Sequence, residues 1–336
     1  MSLHDFGKVN GQDVTEIRLA NRDGMAASVL NFGAVIRDLV VPSTTGHRHV
    51  VLGYQALDGY LSNPSYLGVT AGRYANRIAG GKFSLNGNDH DLTANEKGKT
   101  HLHGGHQGIS RRLWTIIEDG MDHVTLEFQS ANGEEGYPGD CTIRCRYRLM
   151  GPATLAIEYS ATCNAPTLVN IAHHSYFTLQ ENTDIREHEL QINADLYTPV
   201  DADLITTGEV LKVQGTPFDF REPRAIGKPP SGKLLPYDIN YVLRGQGMRT
   251  IAQVLSPDKK LSMEVISTEP GLQFYDGAGL SETAPPLSGQ EHKPYFGFAL
   301  EPQKFPDSPN KPHFPSAVLK PGETYRQMTA YRFKSA

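Results

Sequence analysis

The chain has 336 residues, 38% hydrophobic and 21% charged, with a formal net charge of -5. That composition supports a packed core without staples, and the mild acidity argues against nucleic acid, since short basic clusters such as Arg144, Arg146 and Arg148 alternate with apolar residues instead of forming a stripe. Of the three cysteines, Cys141 and Cys145 sit four apart along one expected strand, where a mutual bridge does not fit, and with Cys163 they are expected to be reduced thiols.

The first residues, with His4, Asp5, Lys8, Asn10 and Asp13, offer no apolar stretch behind a basic start. No later run reaches membrane-spanning length, so a cytoplasmic protein with no membrane partner is expected. Helical turns are expected only over 62–66 and in short pieces within 180–189. Elsewhere apolar and polar residues alternate. Val124, Leu126 and Phe128 come first, then Cys141, Ile143, Cys145, Tyr147 and Leu149 against Thr142, Arg144, Arg146 and Arg148. Leu155, Ile157 and Tyr159 follow, and later Leu261, Met263 and Val265. A period of two marks strands with one wet face, which pair in antiparallel sheets. Turn clusters at 133–139, 199–208 and 285–289 separate them. The expected fold is all-β, a large antiparallel β-sandwich. Its sheet surface can carry a broad polar groove of the kind that suits sugars, whose hydroxyls need many partners.

Histidines concentrate in two places. His101 and His103 share a face on a strand, a spacing that also suits a metal, but Gln107 and Gly108 stand where a cupin-like site would want a glutamate. The expectation is no metal, and at least one of His101, His103 and His106 meeting substrate. In the second group, alternation places His173 with Val169 and Ile171, an apolar setting that reads as structural. His174 falls with Asn170 and Tyr176, where an imidazole can transfer protons near neutrality. The strongest hydrophobic run comes late. As a strand it sends Phe296, Phe298 and Leu300 to one face and Gly297, Ala299 and Glu301 to the other. Glu301 is then either a carboxylate withdrawn beside small side chains, with room above it for something polar, or a strand-end residue turned to solvent. The segment by itself leaves both readings open.

Gly72-Arg73-Tyr74-Ala75-Asn76-Arg77-Ile78 resembles the Gly-Arg-x-Ala-Asn-Arg-Ile signature of the aldose 1-epimerases, the galactose mutarotases. Leu102-His103-Gly104-Gly105, the 133–139 turn, His174-Ser175-Tyr176-Phe177, Tyr197-Thr198-Pro199-Val200-Asp201, Thr216-Pro217-Phe218-Asp219-Phe220-Arg221 and Leu300-Glu301-Pro302-Gln303 resemble the same family in order and spacing. The likeness spans essentially the whole chain. It implies one domain over 1–336, a β-supersandwich, and cofactor-free interconversion of the α and β anomers of free aldoses such as galactose and glucose. It further implies that Glu301 is the base on the anomeric hydroxyl and His174 the acid at the ring oxygen. His103 would support charge near that oxygen, and Asn76, Arg77, Asp238 and Gln273 would bind sugar hydroxyls.

Because Asn76 and Arg77 are adjacent, a regular strand could not direct both at one sugar, and an irregular backbone is expected there. The chain departs from the family pattern at His173, where Asn is usual, at Ile109 and Ser110, where Phe-Asp is usual, and in the residues after Asp238. These bear on which aldose is preferred more than on the reaction. Two competing readings remain. A sugar-phosphate epimerase would need Arg or Lys around the pocket, for which Arg73 and Arg77 are available. A non-catalytic carbohydrate-binding module would have no need of Glu301 and His174 together.

Overall fold

A computed structural model describes residues 1–44, 46–230, 232 and 234–335. Among these residues, three antiparallel sheets hold the long strands. Five strands from Ser2–Val9 to Gly46–His49 pair in sequence order. A nine-stranded sheet has Cys141–Met150, Thr154–Cys163, Tyr325–Ser335 and Leu261–Ser267 as its central neighbours. A six-stranded sheet runs in the order Tyr176–Phe177, Phe298–Gln303, Gly271–Tyr275, Asp238–Leu243, Ala194–Thr198, Leu211–Lys212.

The alternation in the sequence is met strand for strand. In Cys141–Met150 the residues Cys141, Ile143, Cys145, Tyr147 and Leu149 are buried while Arg144 and Arg148 are exposed, and the three cysteines are free thiols. The inner faces of the six- and nine-stranded sheets share one core. The Phe177 ring packs at a tilt 4.7 Å from Tyr331 and 6.2 Å from Phe298, and the Tyr331 hydroxyl donates to the Leu300 carbonyl at 3.0 Å. Burying each large apolar side chain of this kind contributes on the order of 1.5–3 kcal/mol. That commitment orients the strand Phe298–Gln303: with Phe298 and Leu300 in the core, Ala299, Glu301 and Gln303 belong to the opposite face.

Two expectations need correction. The α-helix lies at Leu57–Ser62, not over 62–66, because Pro64 disfavours the helical region at Asn63 and closes the helix before it. The late hydrophobic strand begins at Phe298, so Phe296 and Gly297 belong to the approach to it. The pieces expected within 180–189 reduce to one 3₁₀ turn, Ile185–Glu187. Among the described residues no helix is long and apolar enough to cross a membrane.

Candidate active site

The outer face of the six-stranded sheet forms the floor of a cleft. In its three central strands Ile239, Tyr241, Leu272, Phe274, Phe298 and Leu300 turn to the core, which leaves Asp238, Gln273 and Glu301 on the far side. Gln273 pairs with Glu301 in register, and its Nε2 donates to Asp238 Oδ1 at 2.6 Å. At the edge of the sheet Tyr176 pairs with Ala299, and His174, two residues earlier, is held by backbone bonds to Gly68 and Val69. His174 Nε2 lies 3.6 Å from Glu301 Oε1. Glu301 is only 2% exposed, which excludes the solvent-facing reading.

The facing wall comes from the short pairing of Arg77–Ile78 with His101–Leu102. The irregular backbone expected here is present: Asn76 has φ +63° and His103 φ +50°. Asn and His tolerate the left-handed region better than most residues, and the break lets neighbouring side chains border one cavity. The two residues also fix each other. Asn76 N–H donates to His103 Nδ1 at 3.2 Å and His103 N–H to the Asn76 carbonyl at 3.1 Å. With Nδ1 accepting, the neutral ring carries its proton on Nε2, as a donor. Arg77 is gripped by Glu96, to which Nε and Nη2 donate at 2.8 and 2.9 Å, and its Nη1 stands 3.7 Å from Asp238 Oδ2.

Asn76, Arg77, His103, His174, Asp238 and Glu301 all line one cavity of about 450 Å³, within the range of small-molecule sites, roughly 300–1,000 Å³. Gln273, on the same floor beside Glu301, donates to Asp238, and its Oε1 is buried without a partner among the described residues. Tyr66, Tyr176, Leu204 and Phe218 supply apolar wall. Burial pushes the Glu301 carboxyl well above its usual range, with Asp238 adding to the shift and Arg77 opposing it. Burial also drives His174 down to about 4, and holds His103 low with help from His174 and Arg77. Burial raises Asp238 as well, against the pull of Arg77 and Gln273. Such a cleft strengthens each polar contact a ligand makes, because little water competes.

The remaining candidates stand elsewhere. His101 is spent on structure, its Nδ1 on the Thr93 carbonyl at 2.7 Å and its Nε2 on the Tyr137 hydroxyl at 2.6 Å. His106 is exposed, and its backbone meets Glu135. His173 is buried against Tyr147 and Tyr331, as its apolar neighbours suggested. Arg73 is fully engaged inside the sandwich, donating to Ser130, Ala131, Pro138 and Thr167. Sequence reasoning missed Glu96, which no local pattern links to Arg77, and Tyr66 and Leu204, which sit on turns without periodicity.

A family model described as aldose 1-epimerase matches residues 15–332. The chain is 40% identical over 321 residues to a galactose mutarotase of Bos taurus, covering 94% of this chain and 92% of that one. It is 36% identical over 335 residues to an aldose 1-epimerase of Escherichia coli, covering 96% of each. Among solved structures, an aldose epimerase homologue from C. elegans superposes with a TM-score of 0.90 at 30% identity, over 96% of this chain and 99% of that one. A galactose 1-epimerase from Lactobacillus acidophilus gives 0.86 at 27% identity, over 100% and 98%.

Proposed function

This chain belongs to the aldose 1-epimerase family, and from that membership we propose that it is an isomerase interconverting the α and β anomers of free aldoses, galactose and glucose among them, with Glu301 and His174 as its proton-transfer pair. The observation that carries the reading is the 3.6 Å approach of these two groups in a cavity shared with Arg77 and Asp238. Anomer exchange requires a proton to leave the hydroxyl on C1 while the ring oxygen, bonded to the same carbon, gains one. Two groups within hydrogen-bond reach of these two oxygens should lie within about 8 Å of each other, and this pair does.

Glu301 accepts the proton of the anomeric hydroxyl as the C1 oxygen becomes a carbonyl. The bond from C1 to the ring oxygen breaks, and His174 delivers a proton to that oxygen. Rotation about C1–C2 then presents the other face of the aldehyde, and the steps run backward with roles exchanged. Burial favours a protonated Glu301 and a neutral His174, an arrangement one proton transfer away from the carboxylate–imidazolium pair. Attraction between the two charges, and sugar hydroxyls donating to the carboxylate, favour the charged arrangement once substrate fills the cleft. His103 Nε2–H is a donor toward the ring-oxygen end. Asp238 and Arg77 suit neighbouring hydroxyls, one accepting and the other donating, and Asn76 adds an amide.

Polarimetry on freshly dissolved α-galactose and α-glucose tests the proposal. Protein should hasten the approach to the equilibrium rotation, and binding of sugar without that acceleration would turn the reading toward a carbohydrate-binding module.

A further inference from the structure

Tyr66 lines the cleft at φ +57°, a left-handed conformation that costs a bulky aromatic residue on the order of 1–3 kcal/mol. Its ring centre lies 4.6 Å from that of His103 and 6.2 Å from that of His174, and the Arg111 guanidinium stands 5.9 Å from the ring. The turn is held from Asn63, which is 3% exposed. Asn63 Oδ1 accepts from Leu67 N–H at 2.8 Å, its Nδ2 donates to the Leu67 carbonyl at 3.1 Å, and its own carbonyl accepts from Tyr66 N–H at 3.2 Å. The next two residues are bonded to His174 itself. Gly68 N–H donates to the His174 carbonyl and His174 N–H to the Val69 carbonyl, both at 2.9 Å. Gly68 has φ +70°, and a Cβ there would lie 2.2 Å from the Ile36 carbonyl oxygen, so only glycine lets this segment pass.

We propose that Asn63 is a positioning residue for the imidazole pair: by gripping both the N–H and the carbonyl of Leu67 it fixes the main chain that holds His174 and lays the Tyr66 ring against His103 and His174. The inference deepens the acid–base role given to His174 above and rests on it. A positive φ at a tyrosine persists only where its surroundings over-determine it, and the Asn63 carboxamide supplies two of the bonds that do so. Arg77 and Asp238 stand on other elements, so sugar binding survives loss of the clamp while alignment at the ring oxygen does not. A displacement of about 1 Å in a reacting group can cost about 10²-fold in rate.

The test is Asn63→Ala in the full chain, followed by polarimetric kcat and KM and by hydrogen exchange at the His174 amide. The expected result is a kcat lower by about 10- to 100-fold, KM within about threefold, and exchange at His174 at least about tenfold faster. Asn63→Asp keeps the acceptor for Leu67 N–H but sets an oxygen against the Leu67 carbonyl, so it should give changes of the same sign and no smaller, and the neutral Asn63→Ser stands in should the alanine variant not fold. A folded variant with kcat within about twofold of the parent and unchanged His174 exchange overturns the proposal. Full turnover in His174→Asn would instead overturn the acid–base reading, while the exchange measurement would still decide whether Asn63 holds His174.

Discussion

Glu301 Oε1 faces His174 Nε2 across 3.6 Å, with both side chains withdrawn from water. Two sets of bonds bring them together: Tyr176 pairs with Ala299 beside the face left free by Phe298 and Leu300, and the His174 backbone is bonded to Gly68 and Val69. Glu301→Gln and His174→Asn should each lower kcat by about 10² to 10⁴. Because the two proton transfers belong to one ring-opening step, the double variant should be little slower than the worse single one. Glu301 Oε2 has no partner among the described residues and burial opposes its charge, so Glu301→Gln should leave the thermal midpoint unchanged or raise it. Polarimetry and calorimetry on the same preparations check both points, and a fully active Glu301→Gln would remove the proposed base.

Much of this was legible in the residues because it rests on short periods. Alternation gave the strands, placed Glu301 and His174 on the faces they occupy, and set His173 apart as structural. Adjacency of Asn76 and Arg77 foretold the break in the backbone. Glu96 was not legible, since its bonds to Arg77 cross 19 residues of chain with no repeating pattern between them. Gln273 lies on the face that alternation assigns it, opposite Glu301 in register, where its Nε2 donates to Asp238. The helix was misplaced by reading the turn around Pro64 and missing the segment that Pro64 ends.

Glu96 engages two of the three guanidinium nitrogens of Arg77 and so leaves Nη1 aimed toward Asp238. Removing that carboxylate charge frees the fork to rotate while leaving the acid–base pair untouched. Glu96→Gln should therefore raise KM by about tenfold with kcat changed much less, a loss of roughly 1.4 kcal/mol in sugar binding. Steady-state polarimetry over a range of sugar concentrations separates the two constants. A selective loss of kcat would mean that Arg77 acts on the reacting atoms instead of on remote hydroxyls.

A phosphorylated aldose would meet the Asp238 carboxyl and an arginine already bound to Glu96. Arg73, the other candidate for holding phosphate, is 2% exposed and spends its donors on Ser130, Ala131, Pro138 and Thr167. Unpaired like charges cost several kcal/mol at close range, so kcat/KM for glucose should exceed that for glucose 6-phosphate by about 10- to 100-fold. Comparable values would favour a sugar-phosphate epimerase.

His173 occupies the position where the aldose 1-epimerase pattern commonly carries Asn, and it links acid sensitivity to this chain in particular. Burial drives its imidazole down to about 3, with His174 adding to the shift. Its Nε2 meets the Ser175 hydroxyl at 2.7 Å while Nδ1 has no partner among the described residues. The folded value lies below that of an unfolded histidine, about 6.5, so below that pH the unfolded chain takes up a proton that the folded chain refuses. The contribution is complete above about pH 6.5 and is lost as pH falls toward about 3. Against His173→Asn, which cannot titrate, the parent should lose unfolding free energy with a slope approaching about 1.4 kcal/mol per pH unit, or about 1.6 kcal/mol between pH 6.5 and 5. Urea unfolding of both proteins at the two pH values measures that change, and a difference independent of pH would show that His173 is already solvated or protonated in the folded chain.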